Sequence, residues 1–132
     1  MPMIGELSVP ARTIRLSKDD ALNRLRKIGE LQADWNGNGA TGFSAELVRC
    51  AEHLIMMLPL VPLPVPSTRG GVALQFEDER LGYLDFLMFE DGHAEMYAAS
   101  PSGTQDMSAC VKVDEIPEKV QAFSQGEIWT AA

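Results

Sequence analysis

Cys50 and His53 stand three residues apart in a stretch of helical periodicity, and His93 and Cys110 follow further along the chain. Zinc would need such ligands to converge on one point. The helical angle turns His53 away from the apolar stripe and leaves Cys50 at its edge. They supply half a site, which His93 and Cys110 would complete only by tertiary coincidence, so no metal and no cofactor are expected. Nucleophilic catalysis needs a Ser or Cys held beside a base. Both histidines lie among acids, and the chain has no nucleophile elbow, Walker loop or dinucleotide fingerprint. Gly70-Gly71 is too short a signal for a phosphate cradle and reads as a tight turn before a strand. Glu77-Asp78-Glu79 and Glu90-Asp91 are adjacent acids in turn segments and read as solvated. Asp85 differs, because it stands inside an apolar stretch. Burial would raise its pKa unless a partner held it. On the wet side of an antiparallel sheet it would be an ordinary acid, and that placement is preferred. The reading leans away from an enzyme.

The elements that must position these residues follow from periodicity. Ser17 reads as a helix N-cap, with Asp19 and Asp20 in the first turn where carboxylates favour the macrodipole. Ala21, Leu22, Leu25, Ile28 and Gln32 share one face at helical spacing, and the pattern fades by Asp34. Ser44 caps a second helix, whose stripe is Leu47, Val48, Ala51, Leu54, Ile55 and Leu58, stopped by Pro59. Between the helices stands Trp35-Asn36-Gly37-Asn38-Gly39-Ala40. Its Asn and Gly residues tolerate positive φ, so the chain turns sharply there, and Trp35 brings a large apolar surface into the bend for packing or binding.

Residues 59–71 are a proline-rich connector. Pro59, Pro62, Pro64 and Pro66 forbid a central strand and favour polyproline II or a sheet edge. Strands are expected at Val72–Phe76, Leu81–Phe89, Ala94–Ala99 and Met107–Val113, with Asp91-Gly92 as a hairpin signal. In the second, Leu84, Phe86 and Met88 oppose Tyr83, Asp85, Leu87 and Phe89, and such two-sided apolarity marks a central strand. In the last, Met107, Ala109, Val111 and Val113 alternate with Ser108, Cys110 and Lys112. Pro117 starts a short helix through Val120 and Phe123, ended by Gly126, and Ile128 and Trp129 pack back on the domain. Residues 1–16, with Ile4, Leu7 and Val9, read as an extended arm. The expected fold is α+β: two N-terminal helices on one face of a four-stranded antiparallel β-meander, with a short C-terminal helix, in one domain over 1–132.

The 132 residues are 45% hydrophobic, enough for one core. The net charge of −8 is uneven. Residues 1–49 hold seven Lys/Arg against six Asp/Glu, and residues 50–132 hold four against thirteen. An acidic second half repels phosphate backbones. A nucleic-acid surface would have to use Arg12, Arg15, Arg24, Arg26 and Lys27, against the rest of the chain. Two cysteines make no disulfide framework, no apolar run could span a bilayer, and the N-terminus lacks a signal-peptide pattern, so a cytoplasmic protein is expected.

The turn Trp35-Asn36-Gly37-Asn38-Gly39-Ala40 and the stretch Pro66-Ser67-Thr68-Arg69-Gly70-Gly71-Val72-Ala73-Leu74-Gln75-Phe76 resemble two motifs of a family of small bacterial proteins. In that family a helix ends in Trp-Asp-Gly-Tyr-Gly-Ala, and a proline-rich link leads to Pro-x-x-Asp-Gly-Gly-Ile-x-Leu-Glu-Trp and a meander. The likeness covers roughly 17–99. Here Asn36, Arg69 and Gln75 replace acids and Asn38 replaces an aromatic. The resemblance implies an accessory product of mobile elements or toxin–antitoxin-like loci, and it brings no catalytic residues.

If the helices cover one side of the sheet, Tyr83, Asp85, Leu87, Phe89, Glu95 and Tyr97 lie together on the other. Aromatics mixed with carboxylates suit a protein partner with a basic surface, or a homodimer. The expectation is a non-enzymatic acidic interaction factor, inhibitor or antitoxin-like. The alternatives are a small enzyme with its site near Trp35 or Asp85, and a dedicated chaperone or assembly subunit.

Overall fold

The Ser17 hydroxyl accepts the Asp20 N–H at 3.0 Å and starts helix α1, Lys18–Gly29. Ala21, Leu25 and Ile28 are its buried stripe. The helix stops short of the expected face, and Gln32 is exposed in the following turn. Ser44 caps α2, Ala45–Met57, by accepting the Leu47 N–H at 3.1 Å. Leu47, Ala51, Leu54 and Ile55 are buried, and Leu58 completes the stripe. This computed structural model describes residues 16–128. The arm, Arg12, Arg15 and Trp129 lie outside the described residues.

The sheet has five strands in the order of the chain, all antiparallel: β1 Leu63–Pro66, β2 Val72–Asp78, β3 Gly82–Met88, β4 His93–Ala99 and β5 Asp106–Lys112. A 3₁₀ turn at Val113–Glu115 leads into α3, Ile116–Ser124. The expected four strands are corrected to five, because the proline run supplies β1. The Ser67 N–H donates to Gly71 O at 2.9 Å, so the odd residues of β1 bond toward β2. Pro64 and Pro66 therefore lack only donors that would point away from the sheet. Prolines at a period of two are compatible with an edge strand for this reason.

All three helices contribute to one core with the same sheet face: Val72, Leu74 and Phe76 of β2, Leu84, Phe86 and Met88 of β3, and Ala94, Met96 and Ala98 of β4. Phe123 of α3 closes one end against Phe76, ring centroids 6.4 Å apart. Ile128 packs onto this core. The expected alternation of the last strand puts Met107, Ala109 and Val111 on the helix side, where cover is uneven. Val111 is buried, but Met107 and Ala109 are exposed, because α1 and α2 pack over β1 and β2 and leave the start of β5 uncovered.

Candidate functional site

The register lays the other sheet face out in rungs. Gln75, Asp85, Tyr97 and Ser108 are neighbours across one, and Ala73, Leu87, Glu95 and Cys110 across the next. Among the described residues no helix covers this face. Tyr83, Asp85 and Leu87 are half-buried by their neighbours, and Glu95 and Tyr97 are exposed. Phe89 follows β3 on the same side. A shallow trough of about 700 Å³ runs over the face between Val65, Asp85, Leu87, Tyr97 and Cys110.

The Tyr83 hydroxyl donates to Asp85 Oδ2 at 2.7 Å. Burial raises the Asp85 pKa, and the Tyr83 bond opposes that rise. The phenol is pushed up in turn, first by its own burial and then by the carboxylate beside it. No described residue bonds the second Asp85 oxygen. Tyr83 and Tyr97 rings lie 6.2 Å apart and tilted, and flank this carboxylate. The Tyr97 hydroxyl reaches toward Asp106 Oδ2 at 3.4 Å.

The next rung is already occupied from within. The Arg69 guanidinium makes two bonds of 3.0 Å to Glu95 and lies 4.9 Å from the centre of the Phe89 ring. Arg69 holds the Glu95 carboxyl below the usual range, while Glu95 raises Arg69. Phe89 stacks on His93 at 4.8 Å, and His93 Nδ1 contacts the Asp91 carboxylate. Glu95 of the expected surface is thus engaged by Arg69. Sequence spacing showed that Glu95 faces outward, but Arg69 comes from a turn whose reach spacing does not encode. Ala73 and Cys110, absent from the expected surface, are placed there by strand alternation and register.

The Trp35 turn is separate from the trough and internally bonded. Gly37 and Gly39 take φ of 77° and 84°, which glycine adopts without a Cβ penalty. Asn36 Oδ1 accepts the N–H of Asn38 and of Ala40, and Asp34 Oδ1 accepts that of Gly39. Asn38 is exposed. The Trp35 indole donates to Thr41 O at 2.9 Å and its ring lies 6.1 Å from Phe43. The Thr41 N–H donates to Thr68 O at 3.4 Å, so this turn abuts the turn that carries Arg69.

Cys50 is half-buried on α2 with its thiol pKa raised by burial, His53 is exposed, and Cys110 is exposed on β5. Among the described residues no group of three or more His, Cys, Asp or Glu side chains converges as a metal site. Nor is any described helix long and apolar enough to cross a membrane. Two cations of the basic N-terminal group have local tasks. Arg24 donates to Pro64 O at 2.8 Å, and Arg26 donates to Asn23 at 2.9 Å. Compared with family models, curated proteins and solved structures, the chain matches none.

Proposed function

We propose that this chain is a non-enzymatic interaction factor, inhibitor or antitoxin-like, that works in the cytoplasm. Its open sheet face seats a protein segment carrying an Arg or Lys. The observation that supports this is the half-buried Asp85 between Tyr83 and Tyr97, with one carboxylate oxygen unbonded among the described residues. Arg69 supplies an internal example of the contact, since its guanidinium lies over Phe89 and grips Glu95 one rung away. A partner's guanidinium would meet the same chemistry at Asp85, with a carboxylate to bond and an aromatic face to lie on. Leu87, Val65 and Ala73 beside it offer apolar contact. The exposed acids Glu77, Glu79 and Asp106 at the Tyr83 end favour a positive approach.

A partner purified by affinity capture is to be titrated calorimetrically against wild type, Asp85→Lys and Tyr97→Ala. Asp85→Lys is expected to weaken binding at least about a hundredfold and Tyr97→Ala about tenfold or more, as for central interface anchors. Full affinity in both variants would remove the face from the interaction. The alternative of a small enzyme draws only on the raised Asp85 pKa beside a phenol, and a shallow, open trough is a poor place to exclude water.

A further inference from the structure

The two edges of the sheet are finished in opposite ways, and we infer that the β5 edge pairs with the β5 edge of a second copy of this chain, antiparallel about a twofold axis at Ala109. The β1 edge is blocked: Pro64 and Pro66 remove its outward donors, and Arg24 bonds the outward carbonyl of Pro64. Proline and a covering helix are the usual protections of an edge. β5 has no proline, and among the described residues no helix covers it. Its seven residues carry no bulge, and every one except Val111 is exposed.

Two bonds fix which backbone groups of β5 are unused. Ser100 N–H donates to Gln105 O and Val113 N–H to Gly92 O, both at 2.9 Å, so odd residues bond inward to β4. The N–H and C=O groups of Asp106, Ser108 and Cys110 then point outward, and no described residue bonds them. The Lys112 N–H is taken by the Glu115 carboxylate at 2.7 Å and Lys112 caps the 3₁₀ turn that follows, so the free backbone ladder ends at Cys110 and Lys112 contributes its side chain.

The side chains select a register. Pairing centred on Ala109 sets Asp106 against Lys112 of the second copy at both ends, on the open face, with Ser108 opposite Cys110. On the helix side it sets the exposed Met107 against Val111 of the second copy, extending the apolar layer that the helices leave uncovered. Centring on Ser108 or Cys110 loses the charge match. Opposite charges across paired strands are favourable, and the self-complementary patch is what a twofold interface requires. The two open faces would join into one continuous sheet surface. This inference does not rest on the partner reading, because it uses the unpaired backbone edge and side chains of β5 and not Asp85; the β5 side of the trough, at Ser108–Cys110, would border the second copy.

The test is sedimentation of the purified full chain from low to high micromolar concentration. A reversible dimer is expected, and a monomer throughout overturns the inference. Ser108→Pro deletes only an outward donor and should abolish the dimer with an unchanged circular dichroism spectrum. Lys112→Asp should weaken the dimer at least about tenfold, and adding Asp106→Lys should restore it. Should Ser108→Pro disturb folding, Ala109→Cys in a Cys110→Ser background decides. Ala109 faces itself in a non-hydrogen-bonded pair, Cα atoms about 4.5 Å apart. Mild oxidation should link that variant into a dimer. A dimer that survives the charge reversal and does not cross-link through position 109 also overturns the inference.

Discussion

Asp85→Asn should stabilise the fold at neutral pH. The carboxylate is half-buried and, among the described residues, has one donor in Tyr83 and no bonded cation, Arg69 being engaged by Glu95. Full burial of an unpaired charge costs several kcal/mol, but the open face leaves water at one oxygen and the phenol bonds the other, so the expected gain is about 1 kcal/mol. The amide keeps an acceptor for Tyr83. The change should move the thermal midpoint upward by roughly 3–5 °C. The native pKa is raised, so the folded chain keeps its Asp85 proton at a pH where the unfolded chain has lost it. Stability from this group is therefore fully present below the ordinary Asp range, about pH 3.9, and declines as pH rises above it. The advantage of Asp85→Asn should accordingly vanish below about pH 4. Paired urea melts of wild type and variant across that range measure it. A variant no more stable at pH 7, or one whose gain persists undiminished in acid, would refute the placement of this charge.

Gly82→Ala should be among the most damaging single-methyl changes in the sheet. The residue has φ of +102° and an added Cβ would lie 2.3 Å from Ala99 O, so a loss of at least about 3 kcal/mol is expected in urea unfolding. Gly103→Ala, at φ +76° in open space, should cost about 1 kcal/mol. Equal effects would contradict the close approach of β3 to β4. Arg69→Met should leave the melting midpoint nearly unchanged, since the pair with Glu95 is solvent-exposed. It should still raise the Glu95 pKa toward the usual value in an NMR titration. Asp91, held low first by the His93 N–H, should not move. An unmoved Glu95 would mean the bidentate pair does not form in solution.

Helices and strand faces were legible because each rests on local spacing. Ser17 and Ser44 cap where their positions before the apolar stripes say they should. The alternation of 82–88 separates buried Leu84, Phe86 and Met88 from half-exposed Tyr83, Asp85 and Leu87. What local spacing left open has another cause. The proline run at 63–66 allowed polyproline II or a sheet edge, and the edge is formed because alternate prolines suit a strand with a single free side. Alternation puts Met107 and Ala109 on one side of the last strand, but whether a helix reaches over them depends on where α1 and α2 dock. The Arg69–Glu95 pair could not be read from spacing, because its partners are 26 residues apart and one stands in a turn.

That turn acts together with strand β2 on the open face, through Arg69 and Gln75. In this fold residue 69 reaches Glu95, and residue 75 lies directly across from Asp85. An acid at 69 would face a second carboxylate, and one at 75 would crowd a charge already short of water. With Arg69 and Gln75 in place, one outward acid is neutralised and the other keeps a polar, uncharged neighbour. The two residues thus act on one surface, although they belong to a turn and a strand. Among the described residues Asp85 is left as the half-buried carboxylate without a bonded cation on that face, which is why its charge is the one whose removal should stabilise the fold.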